Sequence, residues 1–125
     1  MKYLALIKKI NCDIEEEVTV KIGDVILTGF ANICPYPIEE DKSYPISISF
    51  TILDEFEIVE QQEQEKQLSR IGNTFAYEIS GLLTEQGLLD ANIIIEDEVF
   101  EDYSYIYGKY VKFKVDRISI EFLED

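Results

Sequence analysis

Carboxylates are the side chains best able to do chemistry in this sequence, and they come in clusters. These are Glu15-Glu16-Glu17, Glu39-Glu40-Asp41, Asp54-Glu55-Glu57, and Glu96-Asp97-Glu98 followed by Glu101-Asp102. A calcium loop would draw its oxygen ligands from such a run, but the D-x-D-x-D-G spacing that wraps a loop around the ion is missing. Two carboxylates alone can hydrolyse a glycosidic bond. The chain has no tryptophan to stack on sugars, however, and a domain of 125 residues has little room for a cleft. Solvated turns between strands account for every cluster. The chain also has no histidine, which removes Ser-His-Asp, Cys-His and histidine-metal chemistry together. None of the six glycines forms a phosphate-cradling GxGxxG or GxxxxGK loop. The expectation is a non-enzyme that needs no metal and no cofactor.

Cations and aromatics form the second constellation. Lys109, Lys112, Lys114 and Arg117 are four of the eleven basic residues, and they lie beside Tyr103, Tyr105, Tyr107 and Tyr110. Strand faces of single-strand-binding barrels combine such residues. Here the alternation puts Lys112 and Lys114 opposite Val111, Phe113 and Val115, where carboxylates on neighbouring strands pair with them. With twenty-six acids and a net charge of −15, phosphate backbones would be repelled, and no nucleic-acid partner is expected.

The tyrosines are the stronger signal. There are eight, and Tyr103, Tyr105 and Tyr107 fall at i, i+2 and i+4, which in a strand places three phenols on one face, with Ser104 and Ile106 on the other. Together with Glu98 and Asp102 they make an acidic, tyrosine-studded surface. Charge steers encounter with a basic protein on such a surface and aromatics anchor the contact. Glu98, Asp102, Tyr103, Tyr105 and Tyr107 are therefore the candidate partner-binding residues. The rival surface runs from Glu39 to Glu65, with nine acids against one lysine but no aromatic anchor in its Gln/Glu stretch.

The elements that must position these residues read as strands. Lys2 to Ile10 is the first. Val18, Val20 and Ile22 alternate with Thr19 and Lys21, and Gly23-Asp24 joins them to Val25–Ile33 as a hairpin. The segment 34–45 carries all three prolines and reads as a loop. Ile46, Ile48, Phe50 and Ile52 face one way, with Phe56 and Ile58 continuing the parity. From Glu60 to Ile71 the apolar pattern lapses into helix formers, so a short surface helix ending at Gly72, or a loop, is expected. Phe75 to Gly81 and Leu88 to Glu96 flank a turn at Glu85-Gln86-Gly87 as a second hairpin. In the last run Val111, Phe113 and Val115 are odd while Ile118, Ile120 and Phe122 are even. That switch at Asp116-Arg117 marks a β-bulge, which bends a strand enough to close a barrel or turn a sandwich corner.

The reading is one mainly β domain over residues 1–125. It is a compact antiparallel barrel or sandwich of about six to seven strands with one short helix, OB-like by architectural analogy alone. The apolar stretch before Lys8-Lys9 is too short for a signal peptide, and no run approaches membrane-helix length, so a soluble cytoplasmic protein with no membrane partner is expected. Cys12 and Cys34 lack metal-binding spacing and read as small, buried or half-buried hydrophobes in a reducing compartment. The functional expectation is a small acidic interaction protein that binds a basic protein, with acidic inhibitors of basic nucleases or toxins as one class of that size and charge. The alternatives are a β-barrel that holds a small ligand or carbohydrate and, third, an OB-like module for single-stranded nucleic acid.

Overall fold

The computed structural model describes residues 2–53 and 55–124. Asp54 of the Asp54-Glu55-Glu57 cluster lies outside them, as does Met1 of the N-terminal run. The chain is mainly β, with eleven strands among the described residues rather than six or seven. They are β1 (Lys2–Ile10), β2 (Glu17–Ile22), β3 (Val25–Ile33), β4 (Ser43–Thr51), β5 (Ile58–Glu60), β6 (Gln67–Arg70), β7 (Tyr77–Leu83), β8 (Leu89–Asp90), β9 (Ile94–Ile95), β10 (Lys109–Val115) and β11 (Arg117–Phe122). A 3-10 helix spans Glu98–Ile106.

Five strands close a barrel in the order β1-β2-β3-β11-β4, and β4 pairs back with β1. All of its pairs are antiparallel except β3 with β11, which run parallel. The β2–β3 hairpin turns on Gly23, whose φ of +58° is open to glycine at no steric penalty, and Ile22 pairs with Val25 across the two-residue loop. Period-two alternation fills the barrel: Ala5, Ile7, Val18, Val20, Leu27, Ile46, Ile48, Ile118, Ile120 and Phe122 are all buried. A barrel this narrow also needs a small residue inside. A Cβ on Gly29 would stand 2.9 Å from the Ile118 carbonyl oxygen and closer still to the Ile120 side chain.

The remaining strands form a second sheet in the order β5-β10-β7-β8-β9, with β6 beside the first half of β7. Of the helix or loop expected between Glu60 and Ile71, residues 61–66 are loop, and the helix is overturned by strand β6 at Gln67–Arg70. Strand β10 covers one edge of β7. Strand β8 covers only Leu82 and Leu83 of the other, which leaves Tyr77 to Ser80 to be paired by Gln67 to Arg70. Backbone pairing at an open edge outweighs the helix propensity of that stretch. Gly72 sits in the following turn at φ +58° instead of capping a helix.

Two further expectations are corrected. Pro45 lies in β4 and not in the preceding loop; it sits near the start of the strand, before the last β11 pair at Ile46, opposite Leu4 of β1. The parity of Ile46 to Ile52 does not run on to Ile58, because β4 ends at Thr51 and Ile58 opens β5 in the other sheet.

The switch at Asp116 is where the chain passes from one sheet to the other, so it is a sheet-to-sheet corner and not an extra residue within one ladder. Strand β10 pairs with β5 and β7, whereas β11 pairs with β3 and β4. Asp116 holds the corner: its N–H donates to the Thr51 carbonyl at 3.0 Å, and its carboxylate accepts the Leu53 N–H at 2.6 Å. Val111 and Ile118 are both buried, so the change of parity keeps each half of the strand pointing inward.

Barrel and sheet share one core. Phe50 of β4 meets Phe113 of β10 at 5.7 Å and Phe100 of the 3-10 helix at 6.2 Å between ring centroids, both edge to face. Tyr77 of β7 accepts the Thr28 N–H of β3 at 2.7 Å, and Arg70 of β6 donates to Glu17 of β2 at 2.8 Å. Among the described residues no helix is long and apolar enough to cross a membrane.

Candidate functional site

The acidic, tyrosine-bearing segment does not form a strand. Residues 98–106 form a 3-10 helix, interrupted at Tyr103 (φ −118°, ψ 27°). Such helices have three residues per turn, so side chains at i and i+3 eclipse. Phe100 in the first part is fully buried, while Tyr103 at the break and Ile106 beyond it are half-buried. The expected row of three phenols on one face is corrected accordingly. Tyr105 is 76% exposed, while Tyr103 and Tyr107 are half-buried, with their hydroxyls committed to the Phe56 carbonyl at 3.4 Å and the Phe100 carbonyl at 3.0 Å.

Asp97 organises the segment. Its carboxylate accepts the Val99 N–H at 3.0 Å, which caps the helix, and its other oxygen accepts the Phe50 N–H at 2.9 Å, which ties the helix to the end of β4. In the sequence Asp97 is one acid in a run of acids, which hides this role. An Asp placed immediately before a helical turn is the signal that could have found it. Glu98 and Glu101 occupy the first turn, where carboxylates favour the positive end of a helix.

The result is a shallow depression between the end of β4 and the helix. About 600 Å³ of it is bordered by Ser49, Phe50, Glu96, Asp97, Glu98 and Glu101, and an adjoining part reaches Ile52 and Asp102. Glu98, Glu101 and Asp102 are exposed on its rim. Tyr3 lies beside it, donating its hydroxyl to the Ile94 carbonyl; burial, then the nearby charge of Glu96, pushes the phenol up to about 12. Tyr105 packs on Tyr103 at 6.0 Å between centroids, Tyr103 on Phe56 at 5.5 Å, and Phe56 on Phe113 at 5.4 Å. An unbroken run of rings thus joins the exposed phenol to the core. Of the five expected residues, the fold brings Glu98, Asp102 and Tyr105 to the surface and uses Tyr103 and Tyr107 to hold the helix in place.

The rival acidic surface is built differently. Glu39 pairs with Lys42 at 2.5 Å, and Glu40 accepts the Ile10 N–H at 2.9 Å, so both carboxylates have structural partners. On β10, Lys112 approaches Glu78 at 3.8 Å, and Glu55 and Glu57 line the same groove as Lys112 and Lys114. These cations are surrounded by carboxylates, as the alternation implied. Cys12 and Cys34 are free thiols, and both are exposed, contrary to their expected burial, because each sits in a loop just beyond the end of a barrel strand.

The profile of one protein family, described as uncharacterised conserved protein UCP019853, matches residues 1–123, and the chain belongs to that family. No curated protein and no solved structure matches it.

Proposed function

We propose that this family member is a small acidic interaction protein, without catalytic activity, that binds a basic protein through the 3-10 helix at Glu98–Ile106. One observation carries the reading: Tyr105 is 76% exposed yet rests at a tilt against Tyr103, the outer ring of a run that reaches the core, with Glu98, Glu101 and Asp102 close by in the sequence. A hot spot needs an anchor that loses water on binding and loses little freedom in doing so. A phenol braced by Tyr103 meets both requirements, and these carboxylates supply steering toward a cationic partner. Two exposed, unpaired thiols suit a reducing compartment, which supports a cytoplasmic setting.

A second reading is favoured by the order of the ring. A five-stranded barrel in the order β1-β2-β3-β11-β4 with a parallel β3–β11 pair supports an analogy with OB-type barrels, whose second and third strands offer the ligand face for oligonucleotides or oligosaccharides. In this chain that face meets the second sheet through Glu17–Arg70, Thr28–Tyr77 and Phe30–Phe75, which reduces the room for a polymer.

The test is affinity capture from the native cell with the wild-type protein and with the variant Glu98→Lys, Asp102→Lys, Tyr105→Ala. A basic protein retained by the wild type and lost by the variant is expected. Retention of the same protein by both, or capture of acidic proteins alone, contradicts the reading.

A further inference from the structure

At the end of the barrel where β1 stops and β2 begins lies a cleft of about 630 Å³, within the range of small-ligand sites. It is separate from the acidic helix, whose cap residue Asp97 is tied to Phe50 near the end of β4. Ile10, Ala31 and Ile38 supply its apolar surface over the buried Val18, and Glu15 and Glu16 stand exposed on its rim. Among the described residues no cation pairs with either carboxylate.

Both walls are pinned before any ligand arrives. In loop 11–16 the Asn11 side-chain oxygen accepts the N–H groups of Asp13 and Ile14 at 2.8 and 3.1 Å, its amide donates to Glu17, and the Glu16 carbonyl accepts the Ala31 N–H at 2.7 Å. On the opposite wall Tyr36 stacks on Tyr44 at 5.7 Å and donates its hydroxyl to the Leu123 carbonyl at 2.8 Å. The Cys34 thiol lies on that wall and donates to the Tyr36 carbonyl.

We propose that this cleft binds an organic cation with a hydrocarbon body, the ammonium head beside Glu15 and Glu16 and the body on Ile10, Ala31 and Ile38. Uncompensated carboxylates at the lip of an apolar floor select for that combination: an alkyl anion meets repulsion at the rim, and a hydrated metal ion has no use for the floor. A preorganised wall keeps the ordering penalty of binding low. A free alkylammonium ion and a lysine side chain displayed on another protein offer the same chemistry.

Cys34 reports on the site, and Cys12, also free and exposed but outside the cleft lining, is the internal reference. Alkylation of the two thiols by iodoacetamide is followed by mass spectrometry with n-hexylammonium, with N-acetyl-lysine amide, and with 1-hexanol or hexanoate as controls. Hexylammonium should slow modification of Cys34 several-fold and leave Cys12 unchanged. Hexanol should give weaker protection and hexanoate none, and the variant Glu15→Gln, Glu16→Gln should lose the effect while keeping its circular dichroism. Protection by the lysine amide as well identifies a displayed side chain as an acceptable ligand, whereas protection by hexylammonium alone identifies a free one. Absence of protection by both cations overturns the proposal, as does equal protection by hexanoate or equal slowing at Cys12. None of these outcomes depends on the 3-10 helix reading.

Discussion

Tyr103, Tyr105 and Tyr107 are chemically identical and do different work, because three residues per turn sends neighbours in the sequence to different environments. Tyr105→Ala should leave stability within about 0.5 kcal/mol, since an exposed ring away from caps and core contributes little, while removing the partner's anchor. Tyr107→Phe should lower stability by about 1 kcal/mol through loss of the bond to the Phe100 carbonyl. Urea unfolding of both variants checks the contrast. The exposure of Glu98 and Asp102 was legible in the sequence, since short, charged stretches between apolar runs stay solvated. The placement of the tyrosines was not, because a spacing of two fits a strand equally well and the break at Tyr103 has no mark in the sequence. Tyr3 gives a prediction in alkali. Its folded phenol sits near 12 against 10.0 for the free group, so the neutral form is favoured by folding. That stability is fully present below the unfolded value and is lost as pH rises from there through the folded one. Tyr3→Phe should flatten this part of the stability–pH curve, as followed by denaturant midpoints; an unchanged slope would remove Tyr3 from the account.

At the scale of elements, caps and turns decide where the helix sits. Asp97→Ala strips the acceptor from both Val99 and Phe50, and should cost about 1–3 kcal/mol and loosen the helix from β4. Faster amide exchange at Phe50 and Val99 checks it. Gly87 holds φ +81°, and a Cβ there would come 2.7 Å from the Tyr107 hydroxyl, so Gly87→Ala should destabilise by about 1–3 kcal/mol. The Gly23 hairpin, the Gly87 turn and the corner at Asp116 could be read directly, since each rests on local backbone chemistry or parity. Strand β6 could not, because what makes Gln67 to Arg70 extended is the uncovered half of β7, a partner distant in sequence. Strand β1 is irregular where its register to β2 shifts across Lys8, and the matching change in the sequence is the step of the apolar parity from Ala5 and Ile7 to Ile10.

For the whole molecule, the ring cluster of Phe50, Phe100 and Phe113 fastens the barrel to the second sheet, so the two should unfold together in one transition. Phe113→Ala should lower stability by about 3–5 kcal/mol without splitting that transition. Calorimetry checks it, two resolved transitions being the contrary result. Glu17 and Arg70 form a second fastening between barrel and sheet. The Asn11 amide, followed by Arg70, holds the Glu17 carboxyl below its ordinary value, so its contribution is present above the unfolded pKa and fades as pH falls through the acid range. The barrel strands were legible because alternation and hairpin glycines specify them. The layout of the second sheet was not, because its strands are short and defined by their neighbours. A net charge of −15 gives the molecule a long-range field, and the central claim is that this field guides a basic partner to the 3-10 helix. Association kinetics of the captured partner, measured at low and at physiological salt, test that claim most directly. Reversing Glu98 and Asp102 should slow association by roughly tenfold at low salt, with the difference shrinking as salt rises, and reversing Glu39, Glu40 and Asp41 should change it far less. Normal association for the helix variant together with failure of the Glu39–Asp41 variant, at equal folded content, would place the partner on the other face and contradict the account.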